Sequence, residues 1–253
     1  MTEMMGHHVI VTGAGSGAGE AIALAFASQS ARVTAIGRRL EPLEALAVRN
    51  DRIIAVSADV TDATGMEAAI ARAVEKNGAP TIVIANAGSA ESAPFLRTGP
   101  ELLQSMLDVN LIGVFNTFQA SLAKMNQKLP GRLLAIASTA GLKGYGYVSA
   151  YCAAKHGVIG LVRSLGLELA KTGVTVNAIC PGFTDTPMLH KSIDNIVAKT
   201  GRSRQEAEAS LRDVNPQGRF IQPDEIAETA IWLCSDAAAS ITGQAITLSG
   251  GET

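Results

Sequence analysis

Three side chains in this sequence could together place a proton on a reacting oxygen. Tyr151 and Lys155 stand four residues apart, and Ser138 lies upstream of both. On a helix, residues i and i+4 share a face. A free phenol has a pKa near ~10, too high for ready exchange at neutral pH. A lysine charge about 4 Å away, at an effective dielectric of about 20, favours the phenolate by about 4 kcal/mol. That is about three pKa units before desolvation takes some back. Hydride addition to a carbonyl leaves an alkoxide that needs such a proton, and the Ser138 hydroxyl could hold the developing charge. Tyr145 and Tyr147 are rival phenols without a lysine one turn later, so they are expected to line the cleft or pack beside it.

A Tyr-x-x-x-Lys pair alone arises readily by chance, and its weight comes from its company. Thr12-Gly-Ala-Gly-Ser-Gly-Ala-Gly19 follows an apolar run and opens a helical pattern. Gly13, Gly17 and Gly19 fit T-G-x-x-x-G-x-G, with Gly15, Ser16 and Ala18 between them. Glycines there let backbone amides and the positive end of a helix approach a pyrophosphate. Glycines after strands are common in α/β proteins, but this turn is the first strand-to-helix turn of the chain. The second strand ends at Ile36-Gly37-Arg38-Arg39, with no carboxylate to accept from ribose hydroxyls. Arg38 and Arg39 suit a dianionic 2′-phosphate, which a guanidinium grips through two parallel hydrogen bonds. NADP(H) is therefore favoured, with NAD(H) as the alternative and a solvated basic turn as the plain reading. Ser16, where a basic residue would strengthen the case, is a counterweight.

The elements that must hold these groups alternate along the chain. Strands are predicted at His8–Thr12, 32–36, 52–56, 81–85, 132–136, 174–179 and Ala245–Leu248. Helices are predicted through Gln29 and over 41–49, 61–76, 101–129, 149–172 and Pro223–Cys234. Repeated β-α-β units with near-continuous apolar strands imply a parallel sheet covered on both faces. Right-handed crossovers make it a single doubly wound Rossmann domain of about seven strands over residues 1–253, with ligands at the carboxyl ends of the strands. The polar stretch at about 186–215 interrupts the rhythm where an active-site lid would overhang those ends.

These residues resemble the short-chain dehydrogenase/reductase family over nearly the whole chain. Thr12–Gly19 resembles its cofactor turn, Asp59-Val60 its adenine pair, and Asn86-Ala87-Gly88 its strand-four motif, with Ala85 where an Asn is usual. The resemblance implies that Asn110 holds a water linking the lysine to solvent, and that Ser138, Tyr151 and Lys155 are catalytic. It also implies that Pro181-Gly182-Phe183-Thr184-Asp185-Thr186 anchors the nicotinamide carboxamide, and that an arginine at Arg38 accompanies NADP(H). Ala18, where a larger aliphatic is common, is a small departure. Singly, Asn86 and Asn110 could satisfy turn or helix-end backbone, Asp59 could cap the next helix, and Pro181-Gly182 could be an ordinary turn. Their joint placement at successive strand ends favours the cofactor site. Relatives associate as tetramers through the two long helices, so a homotetramer is implied.

Residues 137–144 together with 151–188 are similar to bacterial ketoreductases of 3-oxoacyl thioesters and of polyketides. Reduction of such a thioester or a related ketone is expected. A secondary-alcohol dehydrogenase is the alternative, and a dinucleotide sensor without turnover a third. Residues 90–95, 141–148, Phe183 and the lid from Met188 should line an apolar substrate pocket, and Lys143, His190, Lys191 and Arg202 could meet carrier phosphates or be solvated. The net charge of -2 argues against a nucleic-acid footprint. No apolar run spans a bilayer, and Met1–His8 lacks a signal peptide's pattern. Cys152, Cys180 and Cys234 are spaced for neither zinc nor a redox pair, so reduced core thiols, a cytoplasmic location and no metal are expected. His7 and His8 face opposite ways on an extended segment, which suits a surface or strand-end role rather than ligation.

Overall fold

The computed structural model describes residues 4–253. Strands β1 (His8–Thr12), β2 (Arg32–Gly37), β3 (Ile53–Ser57), β4 (Ile82–Ala85), β5 (Gly131–Ile136), β6 (Val174–Pro181) and β7 (Ala245–Leu248) form one sheet among these residues. Their order is β3-β2-β1-β4-β5-β6-β7, and every pairing is parallel. Inside the sheet, β1 places Val11 beside Ala35 on one side and Ile84 on the other. The chain leaves β1 toward β2 but returns to pair β4 on the opposite side, which opens a crevice at their carboxyl ends.

The helices are α1 (Gly17–Ser28), α2 (Leu40–Arg49), α3 (Ala63–Asn77), α4 (Pro100–Leu107), α5 (Gly113–Leu122), α6 (Ser149–Glu168), α7 (Pro187–Thr200), α8 (Arg204–Arg212) and α9 (Pro223–Cys234). Ile22, Phe26, Leu43, Leu46, Ile226 and Ala230 of α1, α2 and α9 pack one face of the sheet. Met66, Ile70, Val114, Phe118, Val158 and Val162 of α3, α5 and α6 pack the other. With helices on both faces, the inner strands β1 and β4 are buried throughout, which is why the strands read as apolar runs rather than alternations. Each such fully buried aliphatic or phenyl side chain contributes about 1.5–3 kcal/mol.

Three helices depart from the sequence expectation by more than one residue. The helix predicted over 101–129 is α4, a π turn at Asp108–Ile112 and α5, and it ends at Leu122. Residues 123–129 form turns in which Asn126 Oδ1 accepts from the Lys128 amide, just ahead of Pro130. Helix α6 stops at Glu168, and Thr172 Oγ1 donates to the Leu169 carbonyl in the turn beyond. The start of α3 is delayed to Ala63 because Asp59 Oδ1 accepts from the Thr61 amide and hydroxyl.

The amino edge of the sheet carries a buried polar cluster. His8 Nδ1 faces the Gly78 carbonyl at 2.7 Å, and Nε2 faces Thr34 Oγ1 at 2.9 Å. A carbonyl only accepts, so Nδ1 carries the proton and Nε2 accepts from Thr34. Asn77 Nδ2 donates to the same Thr34 oxygen at 3.2 Å. Burial pulls the His8 pKa down to about 4. Among the described residues no helix is long and apolar enough to cross a membrane, and no cluster of potential metal ligands occurs. The three cysteines are buried and unpaired. The reading of Met1–His8 falls partly on residues 1–3, which lie outside the described residues.

Candidate active site

The crevice between β1 and β4 is stitched together by Asn86. Its amide nitrogen Nδ2 donates to the Thr12 carbonyl at 3.0 Å and the Gly13 carbonyl at 3.2 Å. In return, the amides of Asn86 and Ala87 donate to Thr12 Oγ1. The loops approach so closely that a side chain at Gly13 would come 2.7 Å from Ala87 Cα, and Gly13 also sits at φ +66°. Gly19 is closed in on one side by the Gly13 carbonyl and Asn86. Asn86 therefore shapes the glycine turn from behind.

That turn faces a cleft of about 1170 Å³ along the carboxyl edge of the sheet. Gly13, Gly15, Ser16, Gly17 and Ala18 line it. Ser16 precedes α1 without using its hydroxyl as a cap, so that group and the first amides of α1 remain available to an anion. Arg38 and Arg39 are exposed on the cleft wall, and neither forms an ion pair among the described residues. Asp59, Val60, Ala87 and Gly88 complete that end. Asp59 also braces its own turn through Thr61, and the Val60 carbonyl accepts from Asn116 Nδ2 at 2.9 Å. Across the cleft, Pro181, Gly182, Thr184 and Thr186 run back from β6. The Gly182 amide donates to the Leu248 carbonyl at 2.9 Å, Thr184 Oγ1 donates to the Gly182 carbonyl at 3.0 Å, and Thr186 caps α7 while lying against Gly17. An uncapped helix start, crowded glycines and free guanidiniums fit the phosphates of a dinucleotide.

Ser138, Tyr151 and Lys155 meet deeper in the same cleft. Ser138 follows β5, and its Oγ accepts from the Ala140 amide at 3.1 Å, which leaves the hydroxyl proton free to point inward. Tyr151 and Lys155 lie on the first turns of α6. Lys155 is buried, and its Nζ donates to the Ile136 carbonyl at 2.9 Å while standing 5.7 Å from the centre of the Tyr151 ring. Burial pushes Tyr151 up to about 12, with the Ser138 hydroxyl pulling it back. Burial draws Lys155 down to about 8. This corrects the expected fall of the phenol driven by the lysine. The ammonium is turned onto a backbone carbonyl and stands 5.7 Å from the ring centre.

Asn110 lies in the π turn, a break that recurs at functional sites. Its Nδ2 donates to the Ser89 and Met106 carbonyls at 2.9 Å and 3.0 Å, and its Oδ1 accepts from the Ser89 amide at 3.2 Å. The side chain thus holds the loop after β4 beside Lys155.

On the substrate side, Ala90–Pro94, Tyr145–Val148, Phe183 and Met188 line the cleft as expected. Phe95 instead points outward, and Gly141–Gly144 lie outside the lining. Lys143 is not free for a carrier phosphate, because its Nζ pairs with Glu252 at 2.9 Å. His190 is engaged by Asp185 at 3.1 Å. Lys199, which no motif singled out, lines the cleft and donates to the Ser92 carbonyl at 3.0 Å, tying α7 to the loop after β4. Helices α7 and α8 share a small core of Leu189, Ile193 and Ala207.

Comparison with known proteins decides the family. A family model described as enoyl-(acyl carrier protein) reductase matches residues 13–253. A Streptomyces coelicolor protein named as a ketoacyl reductase is 36% identical, over 96% of this chain and 95% of its own. The chain belongs to the short-chain dehydrogenase/reductase family. As such it is an NAD(P)-dependent oxidoreductase acting between C=O and CH–OH. The D-beta-hydroxybutyrate dehydrogenase of Cupriavidus necator is 35% identical, over 97% of both chains. A crystal structure of a variant actinorhodin polyketide ketoreductase with NADPH superposes with a TM-score of 0.94, at 34% identity, over 100% of this chain and 99% of that one.

Proposed function

We propose that this reductase uses NADPH to reduce the ketone of a 3-oxoacyl thioester or a related compound. The observation that carries this reading is the convergence of Ser138, Tyr151 and Lys155 in one cleft with unpaired Arg38 and Arg39. Gly13, Gly15, Ser16, Gly17 and Ala18 would receive the pyrophosphate, with Gly19 packed behind them against Gly13 and Asn86 rather than on the cleft wall, Arg38 and Arg39 the 2′-phosphate, and Asp59 and Val60 the adenine. Asn86, Ala87 and Gly88 form the wall between, and Pro181, Gly182, Thr184 and Thr186 would hold the carboxamide. When bound, the nicotinamide supplies the hydride.

The chain's own groups then manage the oxygen. Ser138 donates to the carbonyl oxygen and stabilises its growing charge. Tyr151 Oη delivers the proton as the alkoxide forms, a transfer that stays downhill even from a phenol of raised pKa, because an alkoxide is a far stronger base than a phenolate. Lys155 gives positive potential beneath the resulting phenolate. With the Asn110 side chain committed to Ser89 and Met106, its part in a relay to solvent falls to the π turn's backbone. Helices α7 and α8 act as a lid held by Lys199.

A secondary-alcohol dehydrogenase of free hydroxy acids is the second reading, favoured by the likeness to the hydroxybutyrate enzyme. Initial rates with a 3-oxoacyl-CoA, the matching enoyl-CoA, free 3-oxo acids and simple ketones, each with NADPH and NADH, separate the readings. Fastest turnover of the 3-oxoacyl thioester with NADPH is expected, and its absence alongside turnover of free ketones would establish the second. We further propose a cytoplasmic homotetramer. Apolar residues exposed on α4, the π turn, α5 and α6, among them Leu103, Ile112, Phe115 and Leu167, suit subunit contact. Sedimentation showing a stable monomer would contradict it.

A further inference from the structure

Tyr145 is a second phenol on the cleft wall, and its proton is already assigned by its neighbours. The hydroxyl lies 2.6 Å from Thr139 Oγ1 and is also hydrogen-bonded to Glu252 Oε1. A carboxylate has no proton to give, so the phenol donates to Glu252. Its oxygen then accepts from Thr139, and the two hydroxyl protons run in one direction, from Thr139 to Tyr145 to Glu252. Burial and Glu252 together hold the phenol well above its ordinary range.

Glu252 is placed to impose this order. Its side chain is 3% exposed, although it follows the last strand and belongs to no motif. The same Oε1 receives Lys143 Nζ at 2.9 Å, and that ammonium stands 5.1 Å from the centre of the Tyr145 ring. The other oxygen lies beside Gly182, where an added Cβ would come within 3.3 Å of it. One carboxylate thus anchors the loop after β5 and packs beside the loop after β6. Tyr145 in turn meets Phe183 edge to face, with ring centres 6.0 Å apart at 78°.

We propose that Glu252 is a positioning residue for carbonyl reduction. It fixes Tyr145 as a rigid wall of the substrate subsite and directs that phenol's proton away from the cleft. The substrate oxygen then meets only Ser138 and Tyr151, and the acyl arm meets one fixed aromatic edge. This rests on the proposed ketoreductase activity.

The test compares Glu252→Ala, Glu252→Gln, Tyr145→Phe and the Glu252→Ala/Tyr145→Phe double variant on a 3-oxoacyl-CoA with NADPH. A hydrogen bond to a charged group predicts that Glu252→Ala raises KM about tenfold and lowers the enantiomeric purity of the alcohol, with kcat and the NADPH Kd nearly unchanged. Glutamine still accepts from the phenol, so Glu252→Gln should restore KM. Because Glu252 acts through the Tyr145 hydroxyl, the double variant should be no worse than Tyr145→Phe alone. A wild-type KM in folded Glu252→Ala, a Glu252→Gln variant as impaired as Glu252→Ala, or fully additive effects would each overturn the proposal. If Glu252→Ala does not fold, the comparison of Glu252→Gln with Tyr145→Phe decides, and a glutamine variant at least as impaired as the phenylalanine one refutes it.

If the wild type reduces no carbonyl, the activity reading fails, and ultraviolet titration of the tyrosines still judges Glu252. Subtracting the curve of the same protein carrying Tyr145→Phe in addition isolates one of the three phenols. Its midpoint should fall in Glu252→Ala, whereas an unchanged midpoint overturns the proposal. If Glu252→Ala does not fold, Glu252→Gln, which removes the charge, takes its place in the titration under the same criterion.

Discussion

Replacing Arg38 and Arg39 together by alanine removes the two cations at the end of β2 that face the proposed 2′-phosphate. Both are exposed and outside any ion pair among the described residues, so their charge is available but partly screened. Two unit charges about 5 Å apart attract by about 0.8 kcal/mol at the dielectric of water and about 3 kcal/mol at an effective value of about 20. A site on the cleft wall falls between, at about 2 kcal/mol, which is about thirtyfold in affinity. Fluorescence titration should show the NADPH Kd rising by about that factor. The NADH Kd should hardly move, because NADH lacks the phosphate. Added salt should weaken NADPH binding to the wild type and leave the double variant nearly indifferent. A variant that keeps its preference for NADPH, or loses both cofactors equally, refutes the reasoning.

Three further outcomes follow from the geometry. Ser138→Ala removes one donor to the developing oxyanion, so kcat should fall by about a hundredfold to a thousandfold with NADPH binding intact, checked by steady-state kinetics and titration. Gly19→Ala would drive a methyl into the Gly13 carbonyl and Asn86, so calorimetry should find NADPH affinity reduced in a protein that remains folded. His8 is neutral in the fold with a pKa of about 4, against an ordinary value of 6.5. The unfolded chain therefore takes up its proton first, and folded stability should decline as the pH falls from about 6.5 to about 4, by at most about 3 kcal/mol. Urea unfolding across that window should show a shallower decline in His8→Asn than in the wild type.

The doubly wound sheet was legible because its strands are short apolar runs with glycine and polar punctuation, and His8–Thr12, Ala245–Leu248 and α9 agree to the residue. Motif spacing also brought Ser138, Tyr151 and Lys155 into one cleft, and Arg38 and Arg39 onto its wall. The π turn was not legible, since residues 108–112 carry the same apolar pattern an unbroken α-helix would. Side-chain partners were invisible for a similar reason. Lys143 reads as a free cation until the fold brings Glu252 to it from the far end of the chain, and only the fold shows that Asn86, on the cleft wall, spends its amide bracing Gly13. The electrostatics of Lys155 were not legible either, because sequence spacing cannot report that its ammonium turns onto the Ile136 carbonyl.

Tyr151 is the proton donor on which the proposed reduction depends. Stopped-flow measurement of NADPH oxidation by Tyr151→Phe under single-turnover conditions, on a 3-oxoacyl-CoA that the wild type reduces, tests this most directly. Loss of a general acid predicts a rate lower by roughly a hundredfold to ten-thousandfold, with the NADPH Kd essentially that of the wild type. Hydride transfer at the wild-type rate in that variant would contradict the account.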